Sequence, residues 1–321
     1  MLFFYVAIAF FLSFAAVPVT IQLAWRIGAV DVPKDWRRMH VRKIPRAGGL
    51  AIFAAFSVAC FSMGSLNRTL ACALGGGFLL LLVGLADDVL SLGAFEKLFF
   101  QIAIATASVI GGGLLSGWTL FGGVLWVLTL ANAHNFIDGL DGLFAGCAVS
   151  ESCLLALALY VGGAGEGLAP PLILAASCLG FLFYNRHPAV IFAGDCGSVT
   201  VGFLLGMLSL PLFFATPSVF SALSPLFLFA LPLTDLLTSM LRRTLRGRSV
   251  FSADRAHLHH RLTDAGLSQT QCVRILLSLS LSLGLIGVFL MGRRFFGAAS
   301  LASATSALLL IIIRHFISDF V

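Results

Sequence analysis
Most of this chain is a succession of apolar runs divided by short polar breaks, each roughly twenty residues long, the length an α-helix needs to cross a bilayer. No other feature restricts the fold as strongly. Backbone amides find no water in hydrocarbon, so a spanning segment is either a helix or a strand of a closed barrel. Barrel strands alternate apolar and polar residues over about ten positions, and the runs here do not. Charged residues make up 11% of the chain and hydrophobic ones 59%, against about 25% charged in soluble domains. An all-α polytopic integral membrane protein follows. Its helices are expected over 2–24, 48–66, 69–86, 97–114, 118–134, 142–161, 168–184, 197–215, 219–241, 273–291 and 295–314, eleven in all. The first run has no basic residue before it and Arg26 after it, unlike a cleavable signal peptide, and is expected to stay as a span. No polar tract is long enough to fold apart, so residues 1–321 are read as one transmembrane domain.

An odd number of spans puts the termini on opposite faces. With the N-terminus outside and the C-terminus cytoplasmic, only Arg68, Arg293 and Arg294 of the 20 Lys and Arg fall outside, the bias that the positive-inside rule describes. Loops 25–47, 87–96, 135–141, 185–196 and 242–272 then share the inner face with nearly every acid, amide and histidine of chemical interest. They are expected to form the active site. The net charge of +6 comes from basic residues clustered in two loops beside spans, which suits anionic lipid and phosphorylated substrates rather than nucleic acid. No inverted repeat stands out, which counts against a secondary transporter. The seven cysteines stand singly and read as small buried apolar residues.

The segment Asn132–Gly146, NAHNFIDGLDGLFAG, places Asn132, Asn135, Asp138 and Asp141 between two apolar runs. A carboxylate at bilayer depth costs about 2.5–3.5 kcal/mol on insertion scales, so such residues are candidates for function. Gly139 and Gly142 oppose a continuous helix, giving an irregular turn with Asp141 near the N-cap of the next helix. Asp87 and Asp88 are adjacent at a span end, followed by Lys97 and Gln101 one helical turn apart. A bound cation or basic partner would relieve the repulsion between the two acids, and an Asp88–Lys97 pair is one alternative. Asp195 lies between Gly194 and Gly197, just before a helix start at Ser198. Its carboxylate suits a divalent metal, and glycine-framed amides at a helix start suit phosphate oxygens.

The first inner loop, DVPKDWRRMHVRKIPRAGG, serves either as a topology signal or as a phosphate-binding arm, and Pro45, Gly48 and Gly49 turn it sharply back into the membrane. In the last inner loop His257, His259 and His260 form HxHH beside Arg255 and Arg261. No thiol or further histidine has the spacing of a zinc site. Histidines among arginines hold a pyrophosphate or position a proton-transfer group; a solvated loop binding lipid headgroups is the plainer alternative. Glu151 and Asp235, both inside apolar runs, receive no catalytic role. Carboxylates on one face with bases around them suit Mg²⁺ and phosphoryl transfer, and no GxxxxGK[ST] loop is present to make this an ordinary nucleotide hydrolase.

The segments DVP, IPRAGG, DD, NFIDGLDG, NRHPAVIFAGDCGS and DRAHLHHRL, in this order over nearly the whole chain, resemble the polyprenyl-phosphate N-acetylhexosamine-1-phosphate transferases (glycosyltransferase family 4). The resemblance implies transfer of a sugar 1-phosphate from a UDP-sugar to a polyprenyl phosphate. UMP is released, Mg²⁺ (or Mn²⁺ in its place) is required, and a cell-envelope glycan begins at the cytoplasmic face of the bacterial inner membrane. It further implies that Asp87 deprotonates or orients the lipid phosphate with Asp88 in support, that Asp195 with Asp88 ligates the metal, and that Asn135 and Asp138 take part in catalysis. His257, His259 and His260 match the family's histidine motif near the diphosphate. Gly139, Leu140, Asp141 and Phe192 resemble a uridine pocket, Lys97 and Gln101 the polar pair after DD, and Lys43 a loop lysine near the base; Arg46, Asn132 and Arg255 complete the substrate-binding set. A homodimer is implied as well. DRAHLHHRL followed by GLS is similar to the branch that uses UDP-N-acetylglucosamine and undecaprenyl phosphate, whereas the muramoyl-pentapeptide branch has three consecutive histidines and PTMGG where this chain has PRAGG. Direct attack and a covalent aspartyl-phosphate route use the same residues, and a nucleotide-sugar or lipid-phosphate transporter and a non-catalytic lipid-binding scaffold are the readings from other classes.

Overall fold
The computed structural model describes residues 1–32, 43–64, 66–113, 117–215, 219–247, 249 and 257–291. Its helices are α1 (Leu2–Ile27), α2 (Gly48–Ser62), α3 (Arg68–Leu90), α4 (Ala94–Gly111), α5 (Gly117–Ile137), α6 (Leu143–Val161), α7 (Ala169–Asn185), α8 (Asp195–Ser209), α9 (Leu212–Ala215), α10 (Val219–Leu228), α11 (Ala230–Leu245), α12 (Leu258–Asp264) and α13 (Gln269–Met291). A short antiparallel ribbon pairs β1 (Val30–Asp31) with β2 (Ile44–Pro45). The all-α membrane architecture is as the sequence predicts. Six helices, α1, α3, α4, α5, α6 and α13, are long and apolar enough to cross a bilayer, and the pair α10–α11 makes up to seven. The apolar helices α2, α7 and α8 are shorter, at 15 to 17 residues. Each expected span up to 273–291 falls on one or two of these helices; the one over 295–314 lies outside the described residues.

Two expected spans are broken. The run 197–215 stops as α8 and restarts as α9 across Pro211, which has no N–H to continue the helical ladder. The run 219–241 divides at Phe229 into α10 and α11, which bend by 76°. Pro232 falls in the first turn of α11, where its missing N–H leaves no bond unmade.

The centre of the bundle is α8. Every residue of it except Asp195 is buried, and α2, α3 and α5 pack around it. Such close packing needs small residues: Gly49 on α2 meets the backbone of Gly197, and a Cβ on Gly84 of α3 would lie 2.5 Å from the Cα of Cys196. Backbone bonds fix the approach to α8 as well. Phe192 N donates to Pro45 O (2.8 Å), Gly48 N to Phe192 O (3.0 Å) and Gly49 N to Ala193 O (3.0 Å). The segment that carries Arg46 is thereby tied beside the start of α8.

Candidate active site
Five charged side chains from four parts of the chain meet at the N-terminal end of α8. Asp87 and Asp88 come from the last turns of α3, Lys97 from the first turn of α4, Arg46 from the residue after β2, and Asp195 from α8 itself. The Oδ1 of Asp88 accepts from Arg46 Nε (2.8 Å) and Nη2 (2.7 Å) and from the Asp195 N–H (3.0 Å), while its Oδ2 accepts from the Cys196 N–H (3.1 Å). Asp88 is therefore a cap for α8 supplied from another helix. The residue in the N-cap position, Gly194, has no side chain to do this, and the first N–H groups of a helix need an acceptor. Lys97 Nζ bridges Asp87 Oδ2 (2.9 Å) and Asp195 Oδ2 (2.8 Å), and Arg46 Nη2 reaches Asp195 Oδ1 at 3.4 Å. The Asp88–Lys97 alternative is thus replaced: Arg46 takes Asp88, and Lys97 takes Asp87 and Asp195. Burial works against the Arg46 charge, but Asp88 and then Asp195 outweigh it and raise its pKa above the ordinary value.

The C-terminal end of α5 lines up the amides. Asn132 Nδ2 donates to Gln101 Oε1 (2.8 Å), and Asn135 Oδ1 accepts from Ser198 Oγ (2.8 Å). Asp138, just past α5, is half-buried. Burial first, and the Asp195 charge second, push its carboxyl up to about 7, with Arg46 pulling the other way. The turn that follows is irregular, as expected, with Gly142 as a left-handed N-cap (φ 81°) directly after Asp141. Asp141 Oδ2 accepts from the Ala189 N–H (3.1 Å) and lies 2.8 Å from His187 Nδ1. Asn185 joins the two loops, its Oδ1 accepting from Gly142 N (3.1 Å) and its Nδ2 donating to Ile191 O (3.0 Å).

The other expected site residues are placed as follows. Leu140 is buried in an apolar cluster with Ile137, Leu143, Leu231 and Leu276, so its side chain serves the core. Gly139 is exposed, Phe192 half-buried and Lys43 exposed ahead of β2. His257 is the N-cap residue of α12, with its Nδ1 2.9 Å from Asp235 Oδ2. His259 and His260 lie in the first turn of α12; their side chains, and Arg255 altogether, lie outside what is described. Reasoning from sequence gave Asp235 no catalytic role, took Ser198 only as a helix start, and singled out neither His187 nor Asn185. An acid following a proline inside an apolar run was a signal for Asp235; Asn185 offered none. Glu151, expected to be protonated or hydrogen-bonded inside the bundle, lies fully buried with its Oε2 2.7 Å from His134 Nε2.

Mg²⁺ is usually held by one or two carboxylates, waters and substrate phosphates rather than by an all-protein cage. The donor set fits that description. Among the described residues no group of three or more His, Cys, Asp and Glu is arranged as a ready metal site, yet Asp87 and Asp195 already share one cation, Lys97.

Fold and site together define a polytopic membrane transferase. Residues 70–212 match the model of glycosyl transferase family 4. The chain is 34% identical to the probable undecaprenyl-phosphate N-acetylglucosaminyl 1-phosphate transferase of Bacillus subtilis, over 84% of this chain and 81% of the relative. It is 36% identical to the decaprenyl-phosphate N-acetylglucosaminephosphotransferase of Mycobacterium tuberculosis, over 89% and 79%. To the undecaprenyl-phosphate alpha-N-acetylglucosaminyl 1-phosphate transferase of Escherichia coli K12 it is 27% identical, over 83% and 78%. The chain belongs to glycosyl transferase family 4.

Proposed function
We propose that this protein transfers N-acetylglucosamine 1-phosphate from UDP-N-acetylglucosamine to undecaprenyl phosphate, releasing UMP, at the cytoplasmic face of a bacterial inner membrane. The observation that carries this reading is the convergence of Asp87, Asp88 and Asp195 with Lys97 and Arg46 at one end of the central helix. The names of the relatives support the substrates. The M. tuberculosis relative is named for decaprenyl phosphate, so the acceptor class is polyprenyl phosphate and undecaprenyl phosphate its first candidate. An N-terminus outside, eleven spans, a homodimer and a product that begins a cell-envelope glycan belong to the same proposal.

In the reaction a lipid phosphate oxygen forms a bond to the β-phosphorus of the UDP-sugar. The bond from that phosphorus to the oxygen bridging the two phosphates breaks, and UMP leaves with the electron pair. Asp87 orients the lipid phosphate or accepts its proton. Lys97 and Arg46 hold positive charge where the phosphoryl oxygens gather negative charge, and charge placed beforehand is the usual main source of rate in such sites. Asp88 keeps Asp195 and the α8 start in place. Asn135, fixed by Ser198, and Asp138 border the same space from the α5 side. Asp195 and Asp87 would hold Mg²⁺, in place of the expected pair Asp195 and Asp88, because the Asp88 oxygens accept from Arg46 and from the Asp195 and Cys196 N–H groups; the chemistry of the metal when bound is to neutralise the diphosphate.

The test is UMP release by purified protein in detergent with undecaprenyl phosphate and Mg²⁺, comparing UDP-N-acetylglucosamine, UDP-N-acetylgalactosamine and the muramoyl-pentapeptide nucleotide. Lipid-dependent UMP from the first alone is expected. Asp195→Asn should lower Mg²⁺-dependent turnover by about 10²-fold or more while keeping the wild-type melting profile. Wild-type turnover in that variant would remove Asp195 from the site, and transport of UDP-sugar without UMP would overturn the transferase reading.

A further inference from the structure
We propose that Asp235 is a positioning residue that fixes the tautomer and orientation of His257, a role that rests on the transferase reading above. Asp235 is an acid in an apolar run, and its side chain is 2% exposed. Its two oxygens engage two consecutive residues at the start of α12. Oδ1 accepts from the Leu258 N–H at 2.8 Å, and Oδ2 lies 2.9 Å from His257 Nδ1. The bond to Leu258 is what a structural cap requires. The bond to the ring is not. A carboxylate can only accept, so its partner Nδ1 carries a proton, and in the neutral ring the lone pair then resides on Nε2. Because the same carboxylate grips the neighbouring backbone N–H, the plane of the ring is set along with its tautomer.

Among the described residues, other elements also pack against the imidazole. On α11, Ser239 Oγ lies 3.2 Å from Nδ1 and itself accepts from Arg242 Nη2 at 3.2 Å. On α5, the Phe136 ring meets the imidazole edge-on at 5.4 Å, and Arg243 of α11 lies over the Phe136 ring at 5.3 Å. Phe136 sits between Asn135 and Asp138 on the segment that borders the carboxylate centre. His257 is thus packed against Phe136 of α5 and oriented by α11, with Arg242 and Arg243 nearby. A buried carboxylate that holds Nδ1 of an imidazole makes Nε2 a defined proton acceptor, or a defined donor once protonated.

The experiment is ¹⁵N NMR of histidine-labelled full-length protein in detergent at pH 8, with the His257 signals assigned by His257→Gln. The wild type is expected to show a protonated Nδ1 and an unprotonated Nε2 at His257. Asp235→Asn should shift the ring toward the other tautomer and lower kcat for UMP release by about 10²-fold, with KM for the UDP-sugar changed less than about threefold; Asp235→Glu should recover part of both. A wild-type ring unprotonated at Nδ1 would overturn the proposal even if no Asp235 variant folds. So would a folded Asp235→Asn that keeps the wild-type tautomer, or full activity with the tautomer changed. If the wild type releases no UMP, the transferase reading fails by itself, and the tautomer measurements still decide whether Asp235 sets the ring.

Discussion
Asp87 and Asp88 are neighbours in sequence and do different work. Asp88 is closed off by Arg46 and two backbone N–H groups, whereas Asp87 shares Lys97 with Asp195. The pair was legible from its adjacency, and the division of labour was not, because the partners of Asp88 lie 42 and 107 residues away along the chain and only helix packing brings them together. Asp138 has a consequence that can be measured. With its carboxyl pushed up to about 7 from an ordinary value of about 3.9, the folded protein keeps a proton that the unfolded chain releases between those limits. Stability from this group is therefore lost as pH rises through that window. Asparagine cannot titrate, so the melting temperature of Asp138→Asn relative to wild type should climb from pH 5 to pH 8. A difference that stays constant across this range would show that Asp138 ionises normally.

At the scale of elements, α8 is the part that the sequence disguised. In a soluble protein a helix apolar on all sides announces its burial, but lipid tails accept apolar side chains as readily as a protein core does, and the contrast disappears. What remains visible is the run of small residues around Gly194–Ser198, which marks a close approach of backbones without naming the partner helices. The structure supplies them in Gly49 of α2 and Gly84 of α3. Gly84→Ala would place a methyl group 2.5 Å from backbone atoms of Cys196, where no flexible side chain can move aside. Overpacking of this kind costs about 1–3 kcal/mol. A lower melting temperature in detergent is expected, together with weaker Mg²⁺-dependent turnover, because the displaced segment carries Asp195. An unchanged melting profile would mean that α3 and α8 have room to separate. The breaks at Pro211 and Phe229 belong to the same lesson: hydropathy measures how apolar a run is and is blind to its direction, so two helices bent by 76° read as one span.

For the whole molecule, run length and composition sufficed for an all-α membrane protein, since hydrocarbon leaves the backbone few other choices. Counting spans is harder, because helices of 15 to 17 residues such as α2, α7 and α8 can be held by neighbouring helices without matching the bilayer thickness themselves. Orientation rests on charge. Asn67 caps the end of α3 that lies opposite the Asp87–Asp88 end, and Arg246 follows α11 near the histidine segment. If the basic loops are cytoplasmic, these two positions face opposite compartments. A membrane-impermeant maleimide applied to intact cells should label Asn67→Cys and leave Arg246→Cys unlabelled until the cells are lysed, with the parent protein as the baseline for its own cysteines. The reverse pattern would put the carboxylate centre outside, away from any cytoplasmic pool of nucleotide-sugar, and the proposed reaction could not then run from that face. Equal labelling of both positions in intact cells would place the start of α3 and the end of α11 on one side, against the proposed orientation.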